Sequence, residues 1–423
     1  MSPLTRALAV LMALAAASCS LSRLRADEAA KGEAGLLTGP VATPGRTGGN
    51  VTVALFRVGS GKPILEGLDR LTGLAGSFAF VVRAGERYVV VAFDDLDGDG
   101  KWEPGEPVAA VEGGRALAVG PRQVRIATDT VLRAGGGSGG YDLDLRAAGP
   151  GKSSEAPLAL GEVASLDDPR FDPAHGEAGM WTSLAALQAG GFGLYFLEPY
   201  DPARIPVLFV HGIAGTPRDF KDVIGALDRT CFQAWVVHYA SGFRLGLTAE
   251  ALGRALQRLH GTLALDSLVI TAHSMGGLVA RGAILWLASQ GEAGFVSTLV
   301  TFSTPWLGHD AAASGVKWLA VPVPAWVDMA PESEYLRSLR RPLPSGIAFH
   351  LLFGFGGGRS LAMGEANDGV ITVASELASY AQEGAVRAWG FDLDHMAILS
   401  DPAPLARYAA ILATIRSGRP AVR

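Results

Sequence analysis

The chain is poor in cysteine, in net charge and in long apolar runs, and each shortage excludes a class of protein. Two cysteines stand among 423 residues, and the net charge at pH 7 is only -5. The basic residues form no stripe, so binding to nucleic acid is not expected. Beyond the N-terminus, no apolar run reaches the roughly 20 residues that a membrane-spanning helix needs. A disulfide scaffold and a multi-span membrane protein are therefore not expected either.

The N-terminal residues have the composition of an export signal. Arg6 provides a small positive region, and the apolar run Ala7 to Ala17 is too short to span a bilayer comfortably. Small residues then lead into Cys19, a pattern that resembles the lipobox of bacterial lipoproteins. We predict a signal peptide over residues 1–19, export across the inner membrane and a lipid anchor on Cys19, which leaves Cys231 without a disulfide partner. The alternative is ordinary secretory cleavage nearby.

Composition divides the rest of the chain into two domains. Residues 20–50 are small, polar and rich in glycine, which predicts a flexible tether. Over residues 51–145, short β-type runs alternate with glycine-containing turns, which favours a small β-sandwich. After a predicted linker over 146–157, strands and helices alternate over 158–423, which indicates a doubly wound, mostly parallel α/β sheet. The alternation breaks down at about 305–345, an insertion that would either cap a site or add a packing layer.

One acidic loop stands out in the predicted β-sandwich. The residues from Asp95 to Glu106 fit the pattern D-x-D-x-D-G-x5-E at every fixed position. The spacing resembles the calcium loop of EF-hands and dockerins, here between β-strands. We predict a structural calcium ion with oxygen ligands from Asp95, Asp97, Asp99, the Lys101 carbonyl and a bidentate Glu106. The alternative is an acidic hairpin turn without a metal.

The stretch from Leu268 to Gly277 carries the sharpest chemical signal. A β-branched apolar run ends at Ser274, two glycines follow within three residues, and a helix-like run begins. This is the small-x-Ser-x-Gly form of the nucleophile elbow, in which Ala272 and Gly276 keep the tight turn free of bulk. The backbone N–H of Met275 would point to the place where an oxyanion forms. A glycine-rich strand-to-helix turn without chemistry is the alternative.

A serine hydroxyl becomes a nucleophile when a base accepts its proton and an acid orients that base. In the α/β-hydrolase layout the acid and then the histidine follow the serine along the chain. His395 follows the final predicted strand, whereas His350 lies inside an apolar strand, so His395 is the predicted base. Asp368, in an Asn-Asp-Gly turn after the strand that contains His350, is the predicted acid. Taken alone, that motif is a common local turn.

A second glycine motif precedes the elbow. His211-Gly212-x-x-Gly215 follows an apolar strand, so we expect the N–H of Ile213 to pair with that of Met275 as an oxyanion donor. The elbow, this loop, the Asn-Asp-Gly turn and the final Asp-His turn together resemble those of α/β-hydrolases, most closely bacterial lipases and esterases, over about residues 200–415. The resemblance implies a serine hydrolase that cleaves carboxylic esters through an acyl-enzyme, with no cofactor for catalysis.

Other functions remain open at this point. The same site also supports phospholipase, acyltransferase and thioesterase chemistry on envelope lipids. A different class is a non-catalytic surface protein that binds partners through its β-domain. The predicted partners are an ester or lipid substrate and the membrane, which the anchor on Cys19 would reach. The predicted location is the outer membrane or cell envelope, or alternatively the medium after secretion.

Overall fold

The computed structural model describes residues 20–42, 51–71, 76–121, 123–128, 130–146, 159–357 and 366–417. The predicted signal peptide, with Cys19, lies outside these residues, and so do positions 147–157 of the predicted linker. Within these ranges no helix combines the length and the apolar character that crossing a membrane requires.

The described chain begins with a helix, α1, over residues 20–33, which leads directly into strand β1 (Ala34–Ala42). Lys31 of α1 is buried, pairs with Asp27 at 3.1 Å and donates to Ser183 Oγ at 2.7 Å. The prediction of a flexible tether is therefore wrong for this part of the chain. The composition was misleading because polar contacts with the C-terminal domain hold the helix in place. Contacts between residues so far apart in the chain cannot be predicted from the composition of one segment.

The N-terminal domain is a β-sandwich, as predicted. Strands β1, β4 and β8 share one sheet with β9, and β3, β2, β5 and β6 follow one another in a second sheet, with β7 beside β5. Apolar side chains of both sheets meet in one core, including Leu37, Phe80, Leu55 and Val90. The strands after β1 are β2 (Val51–Arg57), β3 (Ile64–Leu71), β4 (Gly76–Arg83), β5 (Arg87–Asp94), β6 (Val108–Ala110), β7 (Leu117–Ala118), β8 (Val124–Ile126) and β9 (Thr130–Val131).

The C-terminal domain is built on one sheet of eight strands in the order β10-β11-β13-β12-β14-β15-β16-β17. Neighbours from β13 to β17 run parallel, while β11 runs antiparallel to β13. The predicted doubly wound, mostly parallel sheet is thus confirmed. Its strands are β10 (Ala159–Val163), β11 (Gly193–Phe196), β12 (Ile205–Val210), β13 (Phe232–His238), β14 (Leu268–His273), β15 (Val296–Phe302), β16 (Ala348–Gly354) and β17 (Arg387–Phe391).

Helices cover both faces of this sheet, which explains why its central strands are apolar throughout. In β14, Ile270 belongs to the apolar cluster that contains Leu256 and Leu278, whereas Val269 belongs to a second cluster, with Val223. The helices are α2 (Pro173–Trp181), α3 (Ser183–Ala189), α4 (Lys221–Gly225), α5 (Leu245–Leu263), α6 (Met275–Ser289), α7 (Asp310–Trp318), α8 (Pro324–Met329), α9 (Glu334–Ser338), α10 (Val373–Glu376), α11 (Ser379–Gly384) and α12 (Pro402–Ser417).

Helices α7, α8 and α9 form the predicted insertion, which is fastened to α6. Arg281 of α6 is 1% exposed and donates to the carbonyls of Leu339 at 2.7 Å and Arg341 at 2.8 Å. The hydroxyl of Tyr335 donates to the Leu278 carbonyl at 2.9 Å. The insertion is therefore hydrogen-bonded to the helix that follows Ser274.

An apolar cavity of about 1000 Å³ lies between the two domains. Its walls come from α1, β1, one side of α5 and the segment between α7 and α8. Neither Ser274 nor any other residue predicted for catalysis lines it. The cavity therefore belongs to the domain interface and gives no information about the catalytic residues.

Candidate active site

Ser274 occupies the sharp turn between β14 and α6. Its φ of 55° lies in the left-handed region, which is costly for a residue other than glycine. Its N–H donates to the Phe302 carbonyl at 2.9 Å, which ties the turn to β15. A Cβ on Gly276 would lie 2.2 Å from the Val210 carbonyl oxygen, so only glycine lets α6 start this close to β12. The turn thus has the strand, strained serine and helix of the elbow motif.

The loop that follows β12 lies directly against Ser274. A Cβ on Gly212 would be 3.0 Å from the Cβ of Ser274 and 3.5 Å from its Oγ. Met275, on the other side of Ser274, is the first residue of α6, and its N–H has no acceptor one turn earlier in the helix. The two amides predicted to hold an oxyanion, those of Ile213 and Met275, therefore belong to the loop beside Ser274 and to the turn that contains it.

His211 braces this loop. Its Nδ1 donates to the Gly212 carbonyl at 2.8 Å, and its Nε2 accepts the N–H of Tyr239 at 3.3 Å. The Tyr239 hydroxyl donates to the His211 carbonyl at 2.6 Å. Burial lowers the pKa of His211 to about 4, so the ring is neutral at pH 7. The ring fixes the backbone that carries Ile213, and it does not act as a base.

Asp368 and His395 form a buried pair. His395 Nδ1 lies 2.5 Å from Asp368 Oδ2, and the other carboxylate oxygen accepts the N–H groups of Val370 at 2.9 Å and Ile371 at 2.6 Å. Burial by itself would raise the pKa of Asp368. The hydrogen bonds from His395 and the two amides outweigh burial, and the pKa lies below its usual value. Asp368 is therefore an ionised carboxylate, held on one side by backbone and on the other by an imidazole.

His273 links this pair to the elbow, and no sequence signal marked it. It immediately precedes Ser274, and its Nε2 donates to the His395 carbonyl at 2.9 Å. The centroids of the two imidazole rings are 4.6 Å apart. Burial lowers the pKa of His273 to about 3, so this ring is neutral. The turns after β14, β16 and β17 thus bring Ser274, Asp368 and His395 to one edge of the sheet.

A second carboxyl, that of Glu376, lies beside Asp368 in the same interior. Glu376 is 1% exposed, and its Oε1 accepts the N–H of Gly354 at 3.4 Å. Burial and then the charge of Asp368 raise its pKa to about 9, so it is protonated at pH 7. The residue ends a four-residue helix and belongs to no motif, so sequence reasoning could not single it out.

The acidic loop of the β-sandwich brings together three of its five predicted calcium ligands. Asp95, Asp97 and Asp99 each offer a carboxylate oxygen, and all three oxygens lie within 4.8 Å of one another. Three hard oxygen donors at this spacing fit a calcium ion. Lys101 contacts the group through its N–H, which donates to Asp99 Oδ1 at 2.8 Å.

Glu106 lies outside this group of three carboxylates. Its Oε1 accepts the N–H of Leu96 at 2.7 Å, and its Oε2 accepts the N–H of Glu103 at 3.0 Å. Both oxygens are thus used to close the loop on itself. The spacing in the sequence could not show this difference, because Asp95 and Glu106 both accept backbone N–H groups and only the fold places Asp95 with the other two carboxylates.

Comparison with known proteins agrees with this geometry. Residues 204–336, just under a third of the chain, match a family model described as "Putative serine esterase (DUF676)". The matched segment contains the elbow and the loop that precedes it. The C-terminal domain has the sheet order and the strand–serine–helix turn of the α/β-hydrolase fold. A search of curated proteins found no match to this chain.

Solved structures similar to the C-terminal domain include a Bacillus licheniformis lipase, BlEst2 in its mature form. It is 18% identical with a TM-score of 0.43, and the match covers 52% of this chain and 97% of the lipase. Aspergillus fumigatus lipase B is 15% identical with a TM-score of 0.40 over 55% of this chain and 57% of its own. The metagenomic carboxyl esterase MGS0156 is 16% identical with a TM-score of 0.39, over 51% and 77%.

Proposed function

We propose that the hydrolase domain cleaves carboxylic esters through an acyl-enzyme formed on Ser274. The buried Asp368–His395 pair, 2.5 Å apart and joined to the elbow through His273, carries this proposal. A carboxylate that orients an imidazole, at the same edge of the sheet as a serine on a strained turn, is the arrangement expected to activate a hydroxyl. The family match over residues 204–336 supports the same class of reaction.

In the proposed mechanism His395 removes the Ser274 proton while Oγ attacks the ester carbonyl. The N–H groups of Ile213 and Met275 stabilise the oxyanion, and His395 then protonates the leaving alcohol. Water attacks the acyl-enzyme in the same way and releases the acid. Asp368 keeps the proton of the resting imidazole on Nδ1, which leaves Nε2 free to act as the base. No step requires a metal or an organic cofactor.

The substitution Ser274→Ala tests this proposal. We expect kcat on p-nitrophenyl esters to fall on the order of 10⁴-fold or more, because no other group supplies the nucleophile. Labelling by a fluorophosphonate probe should disappear, and the thermal midpoint should stay within a few degrees. The matched control is Ser289→Ala, at the exposed end of the same helix, which should behave as the wild type.

Turnover close to normal in Ser274→Ala would refute the mechanism. A wild-type protein that neither turns over esters nor reacts with the probe would instead favour the non-catalytic binding protein. Rates on short esters, triglycerides, phospholipids and thioesters, measured side by side, would assign the acyl and leaving groups, which the triad itself does not select.

We also propose that a lipid on Cys19 anchors the protein to the cell envelope. Helix α1 begins at residue 20 and is tied to the hydrolase domain by the bond from Lys31 to Ser183. An anchor on Cys19 would therefore keep the catalytic domain close to the membrane. Cys19→Ser should move the exported protein from the membrane fraction to the soluble fraction. A wild-type protein already in the soluble fraction would refute the anchor.

For the N-terminal domain we propose a structural calcium ion on Asp95, Asp97 and Asp99. The support is the spacing of the three carboxylate oxygens, together with the loop that their side chains organise. Asp95 accepts the N–H groups of Gly98 at 2.8 Å and Gly100 at 3.0 Å. These bonds hold the loop in a shape that presents the carboxylates on one side, and an ion would offset their mutual repulsion.

A further inference from the structure

The turn that positions Asp368 also brings Glu376 back against it. The N–H of Asp368 donates to the Ile371 carbonyl at 3.0 Å, and the N–H of Val373 donates to the Ala366 carbonyl at 2.8 Å. Helix α10 starts at this closed turn and ends at Glu376. Glu376 therefore reaches the interior beside Asp368 through a segment of only a few residues.

Three polar side chains meet around the end of β16. A Cβ on Gly354 would lie 2.9 Å from the Cβ of Asp368 and 3.4 Å from the Oγ of Ser303. Glu376 interacts with both of these side chains and with the N–H of Gly354. Within the described residues, Oε2 of Glu376 and Oγ of Ser303 are buried and have no partner at ordinary hydrogen-bond geometry. Each therefore has hydrogen-bonding capacity to spare toward its neighbours.

The two carboxyls cannot both be charged in this interior. Asp368 has three donors that favour its charge, from His395 and two backbone amides, whereas Glu376 has one long bond from Gly354. Like charges in contact, away from water, drive one group to hold a proton. That proton belongs to Glu376, because Asp368 is the better stabilised anion. The protonated carboxyl of Glu376 can then donate its O–H, and the neighbouring Asp368 carboxylate is the negatively charged acceptor.

We propose that Glu376 is a positioning residue of the proposed triad: as a neutral acid it donates its O–H to the Asp368 carboxylate and holds that carboxylate in line with His395. This inference rests on the proposed function of Ser274, Asp368 and His395. The extra donor spreads the charge of Asp368 and resists its rotation away from the imidazole.

Three variants test whether Glu376 acts as a hydrogen-bond donor or only fills space in the interior. Glu376→Gln keeps an N–H donor and cannot ionise, whereas Glu376→Leu removes the donor at similar volume. Glu383→Gln, on the exposed surface of α11, controls for the loss of a glutamate. We expect Glu376→Leu to lower kcat on p-nitrophenyl butyrate about 10- to 100-fold with little change in KM, the range set by one hydrogen bond to a charged group. Glu376→Gln should keep most of kcat.

The pH dependence of kcat gives a second measurement that a purely structural role would not change. As the pH rises through the pKa of Glu376, about 9, the wild type loses the donor and gains a second negative charge beside Asp368. Its kcat should therefore fall on the alkaline side, whereas kcat of Glu376→Gln should stay level. Besides His395, which both proteins keep, the nearby imidazoles include His273 and His309, whose pKa values burial lowers, so both are neutral at these pH values. They do not contribute to the change.

An independent measurement is the infrared band of a protonated carboxylic acid, which should be present in the wild type at pH 7 and absent in Glu376→Gln. The inference is overturned if Glu376→Leu keeps the kcat of the wild type, or if kcat of Glu376→Gln falls as far as that of Glu376→Leu. It is also overturned if kcat of the wild type and kcat of Glu376→Gln fall in the same way at alkaline pH. Should Glu376→Leu fail to fold, the pH profile of Glu376→Gln decides alone. A wild type that hydrolyses no ester and binds no fluorophosphonate refutes the proposed function, and this inference with it.

Discussion

Each domain contains a cluster of carboxyl groups, and the two clusters differ in their exposure to water. In the acidic loop of the β-sandwich, Asp97 and Asp99 are exposed and Asp95 lies beneath them. In the C-terminal domain, Asp368 and Glu376 are 0% and 1% exposed. Water and salt screen the repulsion between the exposed groups, whereas burial strengthens it between the hidden ones. The first cluster can keep its charges and accept a cation, while the second keeps one charge and one proton.

The difference shows that local donors, more than residue type, decide what a carboxyl does. The carboxylate oxygens of Asp95 and Glu106 accept hydrogen bonds from backbone N–H groups of their own loop, and these bonds fix the shape of the loop. Asp368 also accepts two amides, but its second oxygen remains for His395. In Asp95 and in Asp368, backbone N–H groups use part of the hydrogen-bonding capacity of the carboxylate. The capacity that is left is available to an ion in the first case and to the His395 ring in the second.

Among substitutions in the two carboxyl clusters, Asp368→Asn should have the largest effect, because an amide can hold the imidazole in the wrong tautomer. We expect kcat on p-nitrophenyl esters to fall about 10³- to 10⁴-fold while the fold is kept. Steady-state kinetics and thermal unfolding provide the measurement, and the exposed Asp392→Asn is the matched control. A loss of less than about tenfold would mean that Asp368 does not orient the base.

Asp95→Asn should have an intermediate effect, on stability and not on catalysis. One of the two amides that Asp95 accepts would lose its acceptor, which costs about 1–3 kcal/mol of the free energy of unfolding. Calcium should raise the thermal midpoint of the sandwich in the wild type and much less in this variant. Calorimetry of the full chain with calcium and with a chelator checks both points. A midpoint that calcium does not move in the wild type would refute the ion site.

Asp97→Asn should have the smallest effect in the absence of calcium, since its side chain is exposed. We expect the free energy of unfolding to change by less than about 0.5 kcal/mol in chelator. With calcium, the stabilisation should be weaker than in the wild type because one ligand has lost its charge. Equal stabilisation of the wild type and of Asp97→Asn by calcium would show that Asp97 is not a ligand. The exposed cluster would then not differ from the buried one by binding a cation through all three of its carboxylates.

Patterns carried by neighbouring residues were sufficient to predict the sheet, the elbow and the acid–histidine order. The apolar run of β14 and the glycines after Ser274 lie next to each other in the chain, so spacing alone identifies the turn. His273 and Glu376 could not be found in this way, because their importance comes from contacts with His395 and Asp368 across the fold. The same reason explains α1, whose lysine finds its partner in Ser183, about 150 positions away.

Arg281, which fastens the insertion, lies on helix α6, which begins directly after Ser274. Lifting the insertion away would break the bonds from Arg281 to the carbonyls of Leu339 and Arg341. The helix that sets the direction of the serine would lose its outer support in the same event. Any movement of the insertion is therefore coupled to the orientation of Ser274 through Arg281 and α6.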